Sequence, residues 1–489
     1  MTSTRRGLAG PSCVRSLFLA ILTLVCSCGP ESSGYDLVLR GGRVMDPESG
    51  LNATRDVGVT NGKVTAISET PLTGAVTLDA SGMVVAPGFI DLHAHGQDDE
   101  NYRLYAMDGV TTALELEVGA ADVDAFYEQR AGSSRVNYGA SVSHIRSRMQ
   151  VFGETGASLL PEGAGGYGLA TPAHLGELRA RLRRGLAQGA LGVGMGLQYT
   201  PGASRAEVLD MFRVAAESGV PVFVHVRAFG HEDPGSITSF MEVIAAAAIT
   251  GAPLHIVHLN SMSLEVTPET LQMVEEARTH GLDVTTEAYP YSAGMTEIQS
   301  ALLDQYEDAP DSLYQKLQWI ATGERLTRRS FRTFRRQGGM VILHLNTPEM
   351  EALAIESPLT MIASDGGLTN GLGHPRTTGT FARVLAHYVR DRRTLSLMDA
   401  IRKMSLMPAQ RLEARAPMFR DKGRIRVGAD ADLVVFDPST VSDRSTYQDP
   451  AAPAKGFHHV LVAGVPVIRD GTLEDGVFPG KPARAPLSP

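Results

Sequence analysis

Two histidines separated by one residue, His93 and His95, close the stretch VAPGFIDLHAH. Side chains two positions apart on a β-strand point to the same side, so these imidazoles can be presented together as a chelate. Paired surface histidines have the same spacing, and a Zn²⁺ site needs further imidazole or carboxylate ligands. A metal site at this pair therefore requires ligands from the ends of other strands.

Ligand-type residues also end four other apolar segments that have the composition of strands. They are Glu115 and Glu117, His225, His258, and Asp365. A single histidine at a strand end is most often a hydrogen-bonded core group. Imidazoles and carboxylates that converge at one barrel mouth are, by contrast, what a hydrolytic Zn²⁺ site requires. His255 lies three residues before His258, on the opposite face of a regular strand, and is expected to be structural.

The middle of the chain alternates apolar strand candidates with helical segments. Eight such strands occur when the one leading into His93 is included, and eight is the number that closes an α/β barrel of the (β/α)₈ TIM type. In that fold the reactive groups lie at the C-terminal ends of the strands. A doubly wound open sheet is the rival, but no G-x-G-x-x-G turn between a strand and a helix supports it.

Capping residues mark the predicted helix starts. At three places a threonine that can cap a helix precedes a proline suited to its first position: Thr171-Pro172, Thr267-Pro268 and Thr347-Pro348. Ser204 and Glu207 have the spacing of a capping box.

Short alternating strands, separated by Gly-Gly, Asn-Gly and Ser-Gly turns, occur near both ends of the chain. They predict a small β-sandwich domain built from residues 36–85 and 415–480, which flank a barrel spanning residues 86–414.

A basic stretch, RLTRRSFRTFRR, lies within residues 300–340 and departs from the alternation. We expect a helical excursion near the barrel mouth, with Leu326, Phe331 and Phe334 packed inward and the charges solvated. A basic interaction helix is the alternative.

Residues 1–28 have the features of a lipoprotein signal peptide. Arg5, Arg6 and Arg15 precede an apolar run at 16–25 that is too short to span a membrane, and Cys28 follows a small residue as in a lipobox. A linker is expected at 29–35, and Gly29 favours an outer-membrane lipid anchor facing the periplasm. A soluble secreted protein is the alternative.

All three cysteines lie in this leader, so no disulfide forms in the mature body and no thiolate is available there to bind a metal. The net charge is −9, without a cluster of Lys and Arg interleaved with aromatics, which excludes nucleic acid as an expected partner.

Several longer motifs are similar to the amidohydrolase superfamily, and within it to the N-acyl-D-amino-acid deacylases (D-aminoacylases). The superfamily motifs are PGFIDLHAH, the strand-end His225 and His258, SDG at 364–366, and GADADLVVFDP. The narrower family is indicated by GALGVGMGLQYTPG, by AYPYSAG, and above all by HPRTTGTFARVLAHYVR from His374.

The resemblance implies a hydrolase with one or two Zn²⁺ ions, or another divalent metal. It implies that Asp365 takes a proton from water and later gives it to the leaving amine. Arg376 is then expected to bind the substrate α-carboxylate, helped by the Tyr289 hydroxyl. The alternatives are a surface ion pair for Arg376 and a core aromatic for Tyr289. His144 and Arg148, after the third strand candidate, match a family motif less completely and are expected to line the site.

Three positions depart from the family pattern. Val118 aligns where relatives commonly place a metal-binding cysteine, so the expected substitute ligand is Glu117, or else Glu115 on the same face. A carboxylate can bridge two ions, which favours a binuclear site. Asn260 stands where relatives often have lysine, and Met295 where a substrate-binding serine is expected, with Thr296 as its substitute.

The predicted function is hydrolysis of the acyl amide of N-acyl-D-amino acids. A dipeptide, or another linear or cyclic amide, is the alternative substrate, and a non-catalytic binding lipoprotein is the alternative from another class. The sequence leaves open the side chain, the acyl group, the number of metal ions and the oligomeric state.

Overall fold

The computed structural model describes residues 34–155 and 158–487. The predicted signal peptide, Cys28 and nearly all of the predicted linker lie outside these residues. Within the described ranges, no helix is both long and apolar enough to cross a membrane.

The strands are numbered in chain order. They are β1 (Tyr35–Met45), β2 (Asn52–Thr60), β3 (Lys63–Ser68), β4 (Gly74–Asp79), β5 (Val84–Pro87), β6 (Phe89–Asp91), β7 (Val110–Ala120), β8 (Asn137–Ser143), β9 (Val193–Gly196), β10 (Val222–His225), β11 (Leu254–Ile256), β12 (Val284–Ala288), β13 (Gly294–Glu297), β14 (Leu317–Trp319), β15 (Met340–Leu343), β16 (Thr360–Ile362), β17 (Leu368–Thr369), β18 (Leu372–Gly373), β19 (Leu433–Phe436), β20 (Phe457–Val462), β21 (Val465–Arg469) and β22 (Thr472–Leu473).

The α-helices are numbered in the same way. They are α1 (Asp99–Met107), α2 (Val123–Arg130), α3 (His144–Val151), α4 (Ala164–Tyr167), α5 (Pro172–Ala187), α6 (Arg205–Glu217), α7 (Ser236–Thr250), α8 (Leu259–Ser263), α9 (Thr267–Thr279), α10 (Asp311–Tyr314), α11 (Arg328–Gln337), α12 (Pro348–Glu356), α13 (Arg376–Arg383), α14 (Leu397–Ile401) and α15 (Met407–Leu412). Short 3₁₀ turns lie at Leu264–Val266, Ala301–Tyr306 and Pro417–Asp421, and π-helical stretches at Val384–Asp391 and Arg402–Leu406.

The eight predicted barrel strands are present. Strands β6 to β12 and β16 pair in parallel and in chain order. Ala94 and Gly366, just beyond the first and last of these strands, form a parallel bridge that closes the barrel mouth. Both faces of each barrel strand are covered, so the strands are continuous apolar runs in the sequence. In β10, for example, Val222 and Val224 belong to the large hydrophobic cluster, whereas Phe223, on the other face, belongs to a separate cluster.

Nine strands from the two ends of the chain form one hydrogen-bonded network, β1–β5 with β19–β22. Strand β5 joins the two halves, since it pairs with β1 on one side and with β19 on the other. The enclosed core includes Leu39, Val57 and Leu433, all fully buried. The accessory domain thus uses both chain ends, as predicted, and β6 of the barrel begins directly after Gly88.

The chain does not stop at the predicted end of the accessory domain. Its last described segment runs beside β8, where the Tyr138 N–H donates to Lys481 O at 3.1 Å and the Ala483 N–H to Tyr138 O at 2.7 Å. No alternating pattern marks this tail in the sequence, because it contributes backbone rather than side-chain pairing.

Three of the four predicted helix caps are present. The side chains of Thr171, Ser204 and Thr347 accept backbone N–H bonds at the starts of α5, α6 and α12. The prediction for Thr267 was wrong. This threonine lies inside α9, and its hydroxyl donates to Leu264 O at 2.7 Å, because a 3₁₀ turn runs directly into the helix.

The predicted excursion begins earlier than expected and contains a sheet. Strands β13, β14 and β15 form a three-stranded antiparallel sheet, and α11 packs against it. Leu326 and Phe331 are fully buried, and Phe334 stacks on Trp319 with ring centroids 4.3 Å apart. The purely helical interpretation was wrong, because these three strands have only three or four residues each and are too short to show an alternating pattern. We call residues 294–343 the excursion below.

Candidate metal centre and substrate cavity

His93 and His95 present their Nε2 atoms to each other at the barrel mouth, 3.1 Å apart. Asp365, after β16, brings its Oδ1 to 3.5 Å from His93 Nε2 and 3.3 Å from His95 Nε2. Glu117 Oε2 lies 3.0 Å from His93 Nε2. These four side chains form the first group, in which the potential ligand atoms lie within 4.8 Å of one another.

A second group contains His225, His258 and Glu117. Glu117 Oε1 lies 2.9 Å from His225 Nδ1 and 3.6 Å from His258 Nε2. Its other oxygen faces the first group, so this one carboxylate joins the two. The side chain that the sequence preferred as the substitute for a cysteine thus occupies a bridging position.

Glu115 lies outside both groups, which corrects its candidacy as a ligand. Its Oε2 contacts His95 Nδ1 at 2.9 Å, and its Oε1 accepts the backbone N–H groups of Val118 and Gly119. Two residues along a strand share a face, but β7 departs from regular pairing after Glu115, so the two glutamates reach different atoms. Glu115 orients His95 from behind.

Each of the other three histidines also has a partner on its outer nitrogen. His93 Nδ1 contacts Glu287 Oε1 at 2.6 Å, His225 Nε2 contacts Gln198 Oε1 at 3.0 Å, and His258 Nδ1 contacts Ser261 Oγ at 3.1 Å. Such partners fix the tautomer, so that a lone pair is directed into the centre. His255 supports this arrangement, because its Nε2 contacts Glu287 Oε2 at 3.1 Å.

The sequence reasoning missed Glu287, Gln198 and Ser261. A carboxylate near the end of a buried strand was available as a signal for Glu287, the next-to-last residue of β12. Gln198 lies in the turn after β9 and Ser261 in the short helix α8, where neither spacing nor periodicity distinguishes them from other polar residues.

Strained backbone accompanies two of the candidate ligands. His258 has φ 33° and Asp365 has φ 52°, in the left-handed region that residues with a Cβ rarely adopt. Such conformations persist where the surrounding structure fixes them, and they concentrate at functional sites.

The donor set fits a cation. If His93 Nδ1 and His95 Nδ1 donate to Glu287 and Glu115, both Nε2 atoms carry lone pairs that face each other beside carboxylate oxygens. Protons or metal ions are needed to stabilise that arrangement. Without a metal, burial lowers the pKa of His93 but the Asp365, Glu287 and Glu117 carboxylates raise it to about 10.

Arg376, at the start of α13, lies beside Asp365. Its Nη1 is 2.8 Å from Asp365 Oδ2, and its guanidinium carbon is 4.6 Å from the centre of the Tyr289 ring. Nevertheless Nε and Nη1 have no aligned hydrogen-bond acceptor, although the side chain is only 1% exposed. Burial raises the pKa of Asp365, but Arg376 and the histidines reverse this and hold it well below its usual value.

One cavity of about 550 Å³ is lined by every candidate ligand of the two groups except His93, together with Arg376, Tyr289 and Thr296. Residues of the excursion form much of its remaining wall. Met295 also lines the cavity, and the Thr296 hydroxyl donates to the Tyr199 hydroxyl at 3.4 Å.

His144 and Arg148 are not among the residues that line the cavity, contrary to expectation. His144 Nε2 lies 2.8 Å from Glu207 Oε1, and Arg148 Nη1 lies 2.6 Å from both Glu207 oxygens. The Glu207 carboxylate therefore binds these two fully buried side chains instead of completing the predicted capping box. The network links α3 to α6 and has a structural role.

Comparison with known proteins places the chain among hydrolases. The model of the amidohydrolase family matches residues 152–468. The D-aminoacylase of Alcaligenes xylosoxydans xylosoxydans is 29% identical over 484 residues, which is 89% of this chain and 95% of the relative. The N-acyl-D-glutamate deacylase of the same organism is 30% identical over 477 residues, 88% of this chain and 93% of the relative.

Solved structures agree. The N-acyl-D-glutamate deacylase from Bordetella bronchiseptica, complexed with zinc and a phosphonate mimic of the tetrahedral intermediate, has a TM-score of 0.79 and 26% identity, with coverage of 92% of this chain and 100% of that one. A D-aminoacylase structure has a TM-score of 0.75 and 27% identity, and the match covers 92% of this chain and 99% of that one.

Proposed function

Because this chain belongs to the amidohydrolase family, we propose that it hydrolyses the acyl amide bond of N-acyl-D-amino acids with the help of bound divalent metal. The observation that carries this proposal is the cavity, which combines residues of two groups of candidate metal ligands with one buried arginine whose Nε has no acceptor. This combination suits a substrate that carries a carboxylate near the bond to be hydrolysed.

Zinc is the metal we propose, in keeping with the imidazole and carboxylate donors. His93, His95, Asp365 and Glu117 would hold one ion, and His225, His258 and Glu117 a second. When bound, such ions supply Lewis acidity, which lowers the pKa of water and polarises a carbonyl group.

Asp365 is the proposed general base and acid. The Arg376 charge and the imidazoles keep its pKa low although burial opposes them, so the side chain is a carboxylate able to accept a proton from water. Its Oδ1 faces the histidine pair and its Oδ2 faces Arg376, which places it between the hydrolytic centre and the substrate-binding arginine. The proton then passes to the leaving amine nitrogen.

Arg376 is proposed to bind the substrate α-carboxylate. A guanidinium recognises a carboxylate through two parallel N–H bonds. Here Nε has no acceptor, and Nη1, 2.8 Å from Asp365 Oδ2, makes no aligned hydrogen bond, so the side chain keeps donors for a ligand. The Tyr289 ring packs beneath the guanidinium and fixes its plane.

The amino-acid side chain is proposed to be neutral. Among the described residues that line the cavity, Arg376 is the one lysine or arginine, and Asp98 and Glu297 are carboxylates outside the metal groups. A second substrate carboxylate would lack a counter-charge. This chain is therefore expected to prefer substrates like those of the D-aminoacylase relative over N-acyl-D-glutamate. The D configuration rests on the activities of these two relatives.

The cellular location is also a proposal. Cys28 and the apolar leader support export and lipid anchoring at the outer membrane, facing the periplasm.

A hydrolysis screen tests the function. Metal-loaded protein is incubated with N-acetyl-leucine, N-acetyl-methionine and N-acetyl-glutamate in both configurations, and with L- and D-dipeptides. We expect turnover of the neutral D compounds and weak turnover of N-acetyl-D-glutamate. Turnover of an L-dipeptide without any turnover of a D compound would contradict the proposed substrate while leaving an amidohydrolase.

A further inference from the structure

Half-buried apolar side chains line the cavity beyond the metal groups. They come from separate segments of the chain and are Phe229, Leu264, Met295, Ile320, Met340 and Leu345. We call this set the apolar wall. At the rim, Leu159 is 38% exposed and Leu372 is 47% exposed, so the apolar surface reaches the cavity mouth. Apolar groups left in contact with water favour a ligand that covers them.

The apolar wall is connected to the metal centre through two side chains. The Tyr199 ring centre lies 4.6 Å from that of His225, and the Tyr199 hydroxyl accepts from Thr296. Thr296 belongs to β13, where it is flanked by Met295 and by Glu297, the residue paired with Met340 of β15. A ligand group that passes Tyr199 therefore meets the apolar side chains of the excursion.

The cavity is larger than a short N-acyl amino acid requires. Pockets of roughly 300 to 1,000 Å³ enclose drug-sized ligands, and this one measures about 550 Å³. N-acetyl-leucine has about a dozen heavy atoms, well below that size class. Neutral amino-acid side chains extend no further than that of methionine or tryptophan, so the remaining length is assigned to the acyl group.

From these observations, and resting on the proposed function, we infer that the preferred substrates carry an aliphatic acyl chain of roughly eight carbons or more that lies along the apolar wall. The carboxylate of such an amphiphile is bound at Arg376 and its amide lies at the metal groups. The absence of any other lysine or arginine among the described lining residues agrees with an uncharged chain.

The test is an acyl-length series on one amino acid. N-acetyl-, N-butanoyl-, N-octanoyl- and N-dodecanoyl-D-leucine are assayed below their micelle-forming concentrations. Each buried methylene is expected to raise kcat/KM by up to about fourfold until the chain outgrows the cavity. A flat or falling series, with good turnover of the acetyl compound, overturns the acyl inference and leaves the proposed function intact. If no member of the series is turned over, both the acyl inference and the proposed function are contradicted.

A second arm separates the acyl chain from the amino-acid side chain as the occupant. N-octanoyl-D-alanine is compared with N-acetyl-D-tryptophan, each relative to N-acetyl-D-alanine. We expect the larger gain from the octanoyl group. A gain confined to tryptophan places the side chain on the apolar wall and overturns the inference.

Met340→Glu supplies the variant test, because a carboxylate there opposes an aliphatic chain without touching the candidate ligands. Turnover of the octanoyl substrate should fall about tenfold or more, while that of the acetyl substrate changes less than about twofold. Met241→Glu is the matched control, since this methionine is 60% exposed on α7. Ile320→Asp repeats the test if the first variant does not fold. Equal losses on both substrates contradict the inference.

Discussion

Buried charged side chains lie at both ends of the barrel, but their contacts differ. At the mouth, Arg376 has two nitrogens without an aligned acceptor, and Asp365 has strained backbone. At the opposite end, Lys422 lies 2.9 Å from Asp430 and 2.6 Å from Asp432, and Asp432 also accepts from Asn137 at the start of β8. Arg376 thus keeps its Nε free for a ligand although its Nη1 lies 2.8 Å from Asp365 Oδ2, whereas Lys422 has two carboxylate partners and stabilises the fold.

This comparison predicts that changes at the mouth remove activity, and that changes at the opposite end remove stability. Asp365→Asn should give the largest effect. An amide cannot accept the proton from water, so kcat should fall about 10²- to 10⁴-fold. Steady-state kinetics on N-acetyl-D-leucine measure the loss, with the metal content and melting temperature of the variant as controls. Full activity in a metal-loaded variant refutes the acid-base role.

Lys422→Met should lower the free energy of unfolding by about 3–5 kcal/mol, because it leaves the buried Asp432 without its counter-charge, while Asp430 keeps Lys63 at 2.7 Å. Urea denaturation measures the change, and Lys455→Met on the exposed surface is the matched control. Activity per folded molecule should be unchanged. A large loss of kcat at unchanged stability would contradict the assignment of activity to the mouth and of stability to the opposite end.

Arg376→Met should lower kcat/KM about 100-fold for N-acyl-D-amino acids, since a buried carboxylate loses its bidentate partner. Substrates whose carboxylate is replaced by a primary amide should lose much less. If both substrate types lose activity equally, Arg376 acts through Asp365 or the fold of the mouth rather than on the substrate carboxylate.

Glu115→Gln should weaken metal binding about 10- to 100-fold, because it removes the partner that orients His95 without removing a candidate ligand. Titration with zinc against a competing chelator measures the affinity. Glu128→Gln, on α2, is a control of the same chemistry outside the mouth. An unchanged affinity shows that the contact between Glu115 and His95 is incidental.

Lys403 gives the smallest predicted effect, and it depends on pH. Its ammonium donates to Thr360 O at 2.7 Å at the start of β16, and burial lowers the pKa of Lys403 from 10.5 to about 7. Between pH 7 and pH 10.5 the unfolded chain binds more protons at this lysine, so its contribution to stability rises with pH across that window. Below about pH 7 the lysine is charged in both the folded and the unfolded state, so the folded protein bears the full destabilisation of a buried charge.

The effect is measured as the free energy of unfolding of the wild type and of Lys403→Met at two pH values: pH 6.5, just below that window, and pH 9, inside it. The free energy of unfolding of the variant should fall relative to that of the wild type as the pH rises. A difference that is independent of pH shows that this lysine does not titrate there.

The eight barrel strands could be predicted from the sequence because each is a local apolar run. The six ligand-type residues of the two groups could be predicted because five of these runs end in histidine or carboxylate. Glu207 shows where local patterns fail. Its spacing from Ser204 indicates a capping box, yet two buried partners far along the chain, His144 and Arg148, bind its carboxylate. Tertiary contacts of this kind have no signature in spacing.

The outer partners of the histidines and the sheet of the excursion were missed for the same physical reason. Glu287 becomes a partner of His93 only when β12 and β6 face the same barrel interior, 194 positions apart along the chain. The short strands β13 and β14 owe their pairing to β15 rather than to their own alternation. Such features follow from the assembled fold.

Crystallographic location of zinc by anomalous scattering tests the central claim most directly. We predict one ion among His93, His95, Asp365 and Glu117, and a second among His225, His258 and Glu117, with one Glu117 oxygen directed to each. Crystals of protein that was purified without chelator and soaked in zinc, but that show no anomalous peak at either group, would contradict the account.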